Sequence, residues 1–271
     1  MKKRQHRLKF ETVSVLDNFL ECIFPPRCFV CDRLLETADI RRQRNVHAAC
    51  RKKLYPVVQP YCYHCGSPLA DTETEYCQNC RKHRSFVAEG RSLFVYRGAV
   101  QKSMYRFKYA NRRRYARFLA EEAMQRWENW MREKRIEAIV PVPMYLKKER
   151  YRGYNQAALF GRALSEKMDI PCIPRLMIRV KDTRPQKELN GRERENNVKN
   201  AFQSPDNVVK YKRILIVDDI YTTGTTLDEI SALLKSYSRS CSGEIKRSGC
   251  GTGLCADCLH WQRLLGGILW M

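Results

Sequence analysis

Residues 214–226 read ILIVDDIYTTGTT, and their order decides the fold. Ile214–Val217 is an uninterrupted aliphatic run of strand length, as expected of a strand buried on both faces. Asp218 and Asp219 leave its carboxyl end. Thr222, Thr223, Gly224, Thr225 and Thr226 then turn into the start of a helix. Unpaired amides and the positive end of the helix dipole favour an anion there. The hydroxyls add donors, and Gly224 lets the backbone bend close to the anion. The two carboxylates suit a vicinal diol or a divalent metal, not a second phosphate. Together these features describe a ribose 5-phosphate. A Walker B strand would also end in acids, but it requires a G-x-x-x-x-G-K-[ST] loop, which the chain lacks, as it lacks G-x-G-x-x-G. A plain N-cap needs one threonine, not four.

Outward from this stretch, strands and helices alternate. SLFVYRG (92–98), IEAIVPVPM (136–144) and RILIV (213–217) read as strands. Leu119, Ala123, Trp127 and Trp130 or Met131 recur at helical spacing, as do Phe160, Ala163 or Leu164 and Met168, and Leu227, Ile230 and Leu233 or Leu234. Such alternation predicts an α/β fold, a parallel sheet flanked by helices, with ligands at the carboxyl ends of its strands.

Nearer the N-terminus the signal is cysteine. Cys28/Cys31, Cys62/Cys65 and Cys77/Cys80 are pairs with two intervening residues, and His47/Cys50 repeats the spacing. Two such knuckles close a tetrahedral Zn²⁺ site with no position left for water, which is a structural role. The order suggests Cys28/Cys31/His47/Cys50 and Cys62/Cys65/Cys77/Cys80. Interleaved pairing is equally allowed by spacing. His64 and His83 are read as surface residues. A segment this short, rich in Arg, Lys and Pro, needs metal to hold together. It is a small zinc-ribbon-like module.

The boundaries follow: a short amphipathic helix over 1–24, the double zinc-ribbon module over 25–90, the α/β domain over 91–236 and an atypical tail over 237–271. The formal charge of +22 favours polyanionic partners. No run approaches the roughly 20 apolar residues of a membrane span. Glu11, Asp17 and Glu21 interrupt what would be a signal h-region, so a cytoplasmic address is expected.

ILIVDDIYTTGTT resembles the 5-phosphoribosyl-1-pyrophosphate (PRPP) motif of type I phosphoribosyltransferases. FPPRCFVC, CYHC, RFKYANRR, VPVPM, ERYRGYNQA and IVDDIYTTGTT occur in the order found in the ComF family of competence proteins, over about residues 15–235. The resemblance implies a type I phosphoribosyltransferase-like domain behind a zinc ribbon. It also implies a role in natural transformation, handling single-stranded DNA beside membrane-associated uptake machinery. Asp218 and Asp219 would hold the ribose hydroxyls, and Thr222, Thr223, Gly224, Thr225 and Thr226 the 5-phosphate. The loop after Val140 and Arg152 would take pyrophosphate, with Mg²⁺ bridging. Thr183, Gln186, Leu189 and Arg194 keep part of a family segment suited to closing over a ligand. The alternative implied function is a phosphoribosyltransferase enzyme of nucleotide metabolism, acting on an acceptor that the sequence does not name.

KSMYRFKYANRRRYAR, residues 102–117, has seven basic residues and no acid, with Tyr105, Phe107, Tyr109 and Tyr115 interleaved. It reads equally as a single-strand binding surface and as an amphipathic element with its aromatics in the core. After Lys235 the resemblance stops. The Ser-, Gly- and Cys-rich remainder shows neither helical nor strand periodicity. It reads as a shifted reading frame that would leave the sheet one strand short, or, through Cys250, Cys255, Cys258 and His260, as a third zinc site.

Overall fold

The computed structural model describes residues 25–42, 44–82, 87–182, 200–204, 211–221, 224–247 and 268–270. The expected N-terminal helix, Thr183, Gln186, Leu189 and Arg194 of the closing segment, and the would-be third zinc ligands lie outside these.

Four strands form one parallel sheet: β1 (Gly90–Ser92), β2 (Ala138–Pro141), β5 (Ile214–Asp218) and β6 (Ile268–Trp270), in the order β1-β6-β5-β2. Ala138 pairs with Ile214 and Pro141 with Val217, so β2 and β5 end together. A two-stranded antiparallel ribbon, β3 (Ile178–Arg179) and β4 (Phe202–Gln203), stands apart. The helices are α1 (Thr37–Arg41), α2 (Ala48–Arg51), α3 (Gln78–Lys82), α4 (Ala99–Tyr109), α5 (Tyr115–Glu133), α6 (Leu146–Arg152), α7 (Gln156–Met168) and α8 (Thr225–Arg247). The three helices expected within the α/β domain are present as α5, α7 and α8. Asn155 caps α7, its side-chain oxygen accepting from the amides of Ala157 and Ala158.

The expectation for the chain after Lys235 is corrected on two counts. Helix α8 continues to Arg247, and Ile268–Trp270 enters the sheet between β1 and β5. The strand expected over 92–98 is also displaced. β1 begins at Gly90, and Leu93 and Val95 bond backbone to backbone with Val57 and Tyr55 of the zinc module.

Alternation along β5 divides the interior in two. Leu215 and Val217, with Ile139, face a core built from α4, α5 and α7. Ile214 and Ile216, with Val140, face a second core that includes Leu227, Ile230 and Leu234 of α8. This is the period-2 arrangement of a sheet covered on both faces. The zinc module contributes to both: Cys28, Phe29 and Cys50 join the first core, Cys62 and Cys65 the second. The ribbon therefore straddles the β1 edge of the sheet.

Three contacts fix it there. Gly66 has φ +70°, and a Cβ on it would lie 2.7 Å from the Cα of Arg91, so the Cys62–Cys65 knuckle can meet β1 only with glycine at that position. Arg91 is enclosed by the rings of Tyr61, Trp127 and Trp130 at 5.0, 5.6 and 4.9 Å. Glu122, 2% exposed on α5, holds Arg51 of α2 at 2.7 Å and Arg126 at 2.6 Å.

Candidate metal centres and phosphoribosyl site

The zinc pairing left open by spacing is resolved by position. The ligand atoms of Cys28, Cys31, His47 and Cys50 lie within 4.8 Å of one another, as do those of Cys62, Cys65, Cys77 and Cys80. Zn–S bonds of about 2.3 Å and Zn–N bonds of about 2.0 Å place tetrahedral ligands roughly 3.5–3.8 Å apart. Cys65 Sγ and Cys77 Sγ are 3.8 Å apart, and His47 Nδ1 is 3.4 Å from Cys31 Sγ and 3.9 Å from Cys50 Sγ. The donor sets fit zinc. His47 Nε2 donates to the Leu34 carbonyl at 2.9 Å, which leaves Nδ1 free to bind metal. His64 belongs to neither quartet, but its Nδ1 lies 3.4 Å from Cys80 Sγ. Spacing alone gave no sign of that contact.

The second site is built by β5. Asp218 is its last residue, and the Asp218 carboxylate accepts the amide of Asp219 at 2.7 Å. Its pKa is pushed up to about 7, first by burial and then by the charge of Asp219. Gly224 has φ +85°, and its carbonyl accepts two amides of the first turn of α8, those of Leu227 and Asp228, both at 2.9 Å. A Cβ on Gly224 would stand 2.8 Å from the Tyr221 hydroxyl. Thr225 and Thr226 open α8, whereas Thr222 and Thr223 lie outside the described residues. Tyr221 packs on the core that contains Cys62 and Cys65, so one zinc quartet lies behind the Gly224 turn.

Sequence reasoning missed Lys108. It reaches from α4 to place Nζ 2.7 Å from Asp219 Oδ2, with 19% and 18% of the two side chains exposed. Burial alone would make the ammonium easier to deprotonate. The Asp219 charge and hydrogen bond outweigh it and hold Lys108 above its ordinary range. Lys108 also lines a cleft of about 740 Å³ with Tyr109, Lys147, Lys148, Tyr151 and Arg152. Arg152 stands in this wall, bonded to Gln156 at 2.7 Å and lying over the Tyr109 ring. The cleft thus gathers four cations, against which Asp182, paired with Lys148, is the acid in its lining.

The basic–aromatic stretch divides between its two readings. Phe107 and Tyr115 are core residues. Arg112 is committed to Asp32 at 2.7 and 2.9 Å, which ties the zinc module to the α4–α5 connection, and Arg113 lies over Tyr154. Tyr105 and Tyr109 are exposed, one turn apart, with ring centroids 4.9 Å from each other.

A double zinc ribbon domain model matches residues 19–81, and a phosphoribosyl transferase domain model matches residues 155–245. Competence protein F of Haemophilus influenzae is 36% identical, covering 77% of this chain and 90% of that protein. The chain belongs to the ComF family of competence proteins. Other ComF-like relatives are competence protein ComFC of Bacillus subtilis, 24% identical over 69% of this chain and 77% of its own length, and DNA utilization protein YhgH of Salmonella typhimurium, 29% identical over 64% and 77%. No solved structure matches significantly. The phosphoribosyl transferase match runs about ten residues past Lys235, beyond the end of the motif-based ComF resemblance. Among the described residues no helix is long and apolar enough to cross a membrane.

Proposed function

We propose that this ComF-family chain binds PRPP together with Mg²⁺ at the carboxyl end of β5 and single-stranded DNA on the exposed face of α4, in the service of DNA uptake. One observation carries the reading. Asp218 and Asp219 emerge beside the left-handed Gly224 turn and next to a cleft whose wall holds Lys108, Lys147, Lys148 and Arg152. The turn and the start of α8 suit the 5-phosphate. The carboxylates suit the ribose hydroxyls, and as hard oxygen donors they also suit Mg²⁺, which would neutralise diphosphate charge. The cationic cleft suits the diphosphate. Tyr105 and Tyr109 offer stacking faces for bases, and the basic surface supports phosphate contacts. Relatives named for competence and DNA utilization favour this over nucleotide metabolism.

Phosphoribosyl transfer to an acceptor is the second reading. Tyr151, 94% exposed at the cleft, gives it an aromatic surface on which an acceptor base would rest.

Calorimetric titration with PRPP and Mg²⁺, repeated with oligo-dT, tests the first reading. Asp218→Asn with Asp219→Asn is expected to weaken PRPP binding by about 10-fold or more, or roughly 1.4 kcal/mol. Binding of inorganic phosphate should hold or improve. Undiminished PRPP affinity in the double variant would refute the ribose-reading role. Release of pyrophosphate on adding a nucleobase would favour the second reading.

A further inference from the structure

Two adjacent carboxylates are a poor floor for a polyanion. At about 4 Å and an effective dielectric near 20, like charges repel by roughly 4 kcal/mol. The protein already places a cation against this pair, and that cation also belongs to the anion-facing wall of the cleft. Lys108 sits at the last turn of α4, where its Nζ meets Asp219 while its side chain lines the cleft with Lys147, Lys148 and Arg152. A lysine stem is flexible and its ammonium is a compact charge, so a small rotation exchanges one anion for another. Two other cations of the cleft wall have partners of their own: Lys148 pairs with Asp182, and Arg152 bonds the Gln156 amide oxygen.

We propose that Lys108 is a displaceable internal counter-cation of the acidic pair. Without ligand it holds Asp219. When a phosphoribosyl diphosphate binds, the ammonium moves to the diphosphate and releases Asp219 to the ribose hydroxyls or to the divalent cation that accompanies the ligand. The diphosphate half of this exchange rests on the PRPP reading; the counter-cation half does not. Lys108 thus prevents the site from loading a divalent cation without its anion, and couples the two in one event.

Lys108→Met keeps the stem and removes the charge. Two signals of opposite sign are expected. Mn²⁺, used alone as a probe and followed by electron paramagnetic resonance, should bind at least 10-fold tighter than to the parent. Metal-free pyrophosphate should bind at least 10-fold more weakly. A purely structural ion pair would lower thermal stability and produce neither signal. Asp219→Asn frees the ammonium without touching α4, so it keeps the question open to test should Lys108→Met fail to fold. In that variant metal-free pyrophosphate is expected to bind several-fold tighter. Lys108→Arg should restore the parental order. Unchanged Mn²⁺ binding in Lys108→Met, or unchanged pyrophosphate binding in Asp219→Asn, overturns the proposal. A parent protein that binds pyrophosphate but not PRPP would refute the proposed function and leave the counter-cation standing.

Discussion

Asp218 carries a proton affinity well above that of an ordinary carboxyl, because the strand that delivers it is buried and Asp219 stands next to it. The folded state therefore holds a proton that the unfolded chain has already released between pH about 4 and about 7. Stability attributable to this group falls as pH rises through that window, since the native state binds more protons there. Asp218→Asn removes the titration. Its midpoint in urea should match the parent near pH 4 and exceed it progressively towards pH 7 in magnesium-free buffer; a constant difference across this range would contradict the assignment. The acids were legible from sequence because a four-residue aliphatic run fixes where its strand ends. Lys108 was not, because nothing local marks which of 51 basic residues will meet a carboxylate more than a hundred positions away.

Helix α4 serves two solvents. Val100, Met104 and Phe107 are fully buried, whereas Tyr105 and Tyr109 lie on the opposite side. Truncating the two faces should give different phenotypes. Phe107→Ala is expected to cost about 3–5 kcal/mol of stability. Tyr105→Ala with Tyr109→Ala should leave the melting temperature nearly unchanged and weaken oligo-dT binding by about 10-fold or more, given stacking worth roughly 1–3 kcal/mol per base. The neighbouring arginines do not form one group. Arg112→Gln should appear as lost stability, because it breaks a two-bonded pair with Asp32, and should leave the slope of log K against log salt unaltered. A large change in that slope would return Arg112 to the DNA-binding surface. Composition showed a basic, aromatic stretch. It did not show which cations were already taken, because their partners, Asp32 for Arg112 and Asp219 for Lys108, are remote in the chain. The segment 93–95 misled for the same reason: its apolar run is strand-like, but its bonding partners are Tyr55 and Val57, not a strand of the sheet. In α8, serine and glycine hid a helix that continues past Lys235 to Arg247.

At the scale of the molecule, the zinc ribbon is part of the interior, not an appendage. One quartet belongs to each core, and both lean on the sheet. Metal analysis of purified protein should return about two Zn²⁺ per chain. Cys31→Ser and Cys77→Ser should each remove one, but with different consequences. Loss of the Cys77 site should also depress PRPP binding, since Tyr221 and the start of α8 share its core. Loss of the Cys31 site should instead lower the stability of the α4–α5 face and spare PRPP affinity at low temperature. Equal effects of the two substitutions on PRPP binding would contradict this division. Cysteine spacing announced both metals. It could not announce that they would lie on opposite faces of one sheet, because that depends on where β1 docks.

The sheet order has a temporal meaning as well. β5 is joined to β1 only through β6, which follows it by about fifty residues of chain. On a ribosome adding roughly 5–20 residues per second, β5 emerges several seconds before the strand that will cover its open side. During that interval an apolar parallel strand presents unpaired amides and carbonyls on a nascent chain, the condition under which strands pair with the wrong neighbour. A chain stalled or cut within 219–267 would keep that edge permanently, which predicts inclusion bodies or proteolysis for such fragments instead of a smaller working domain.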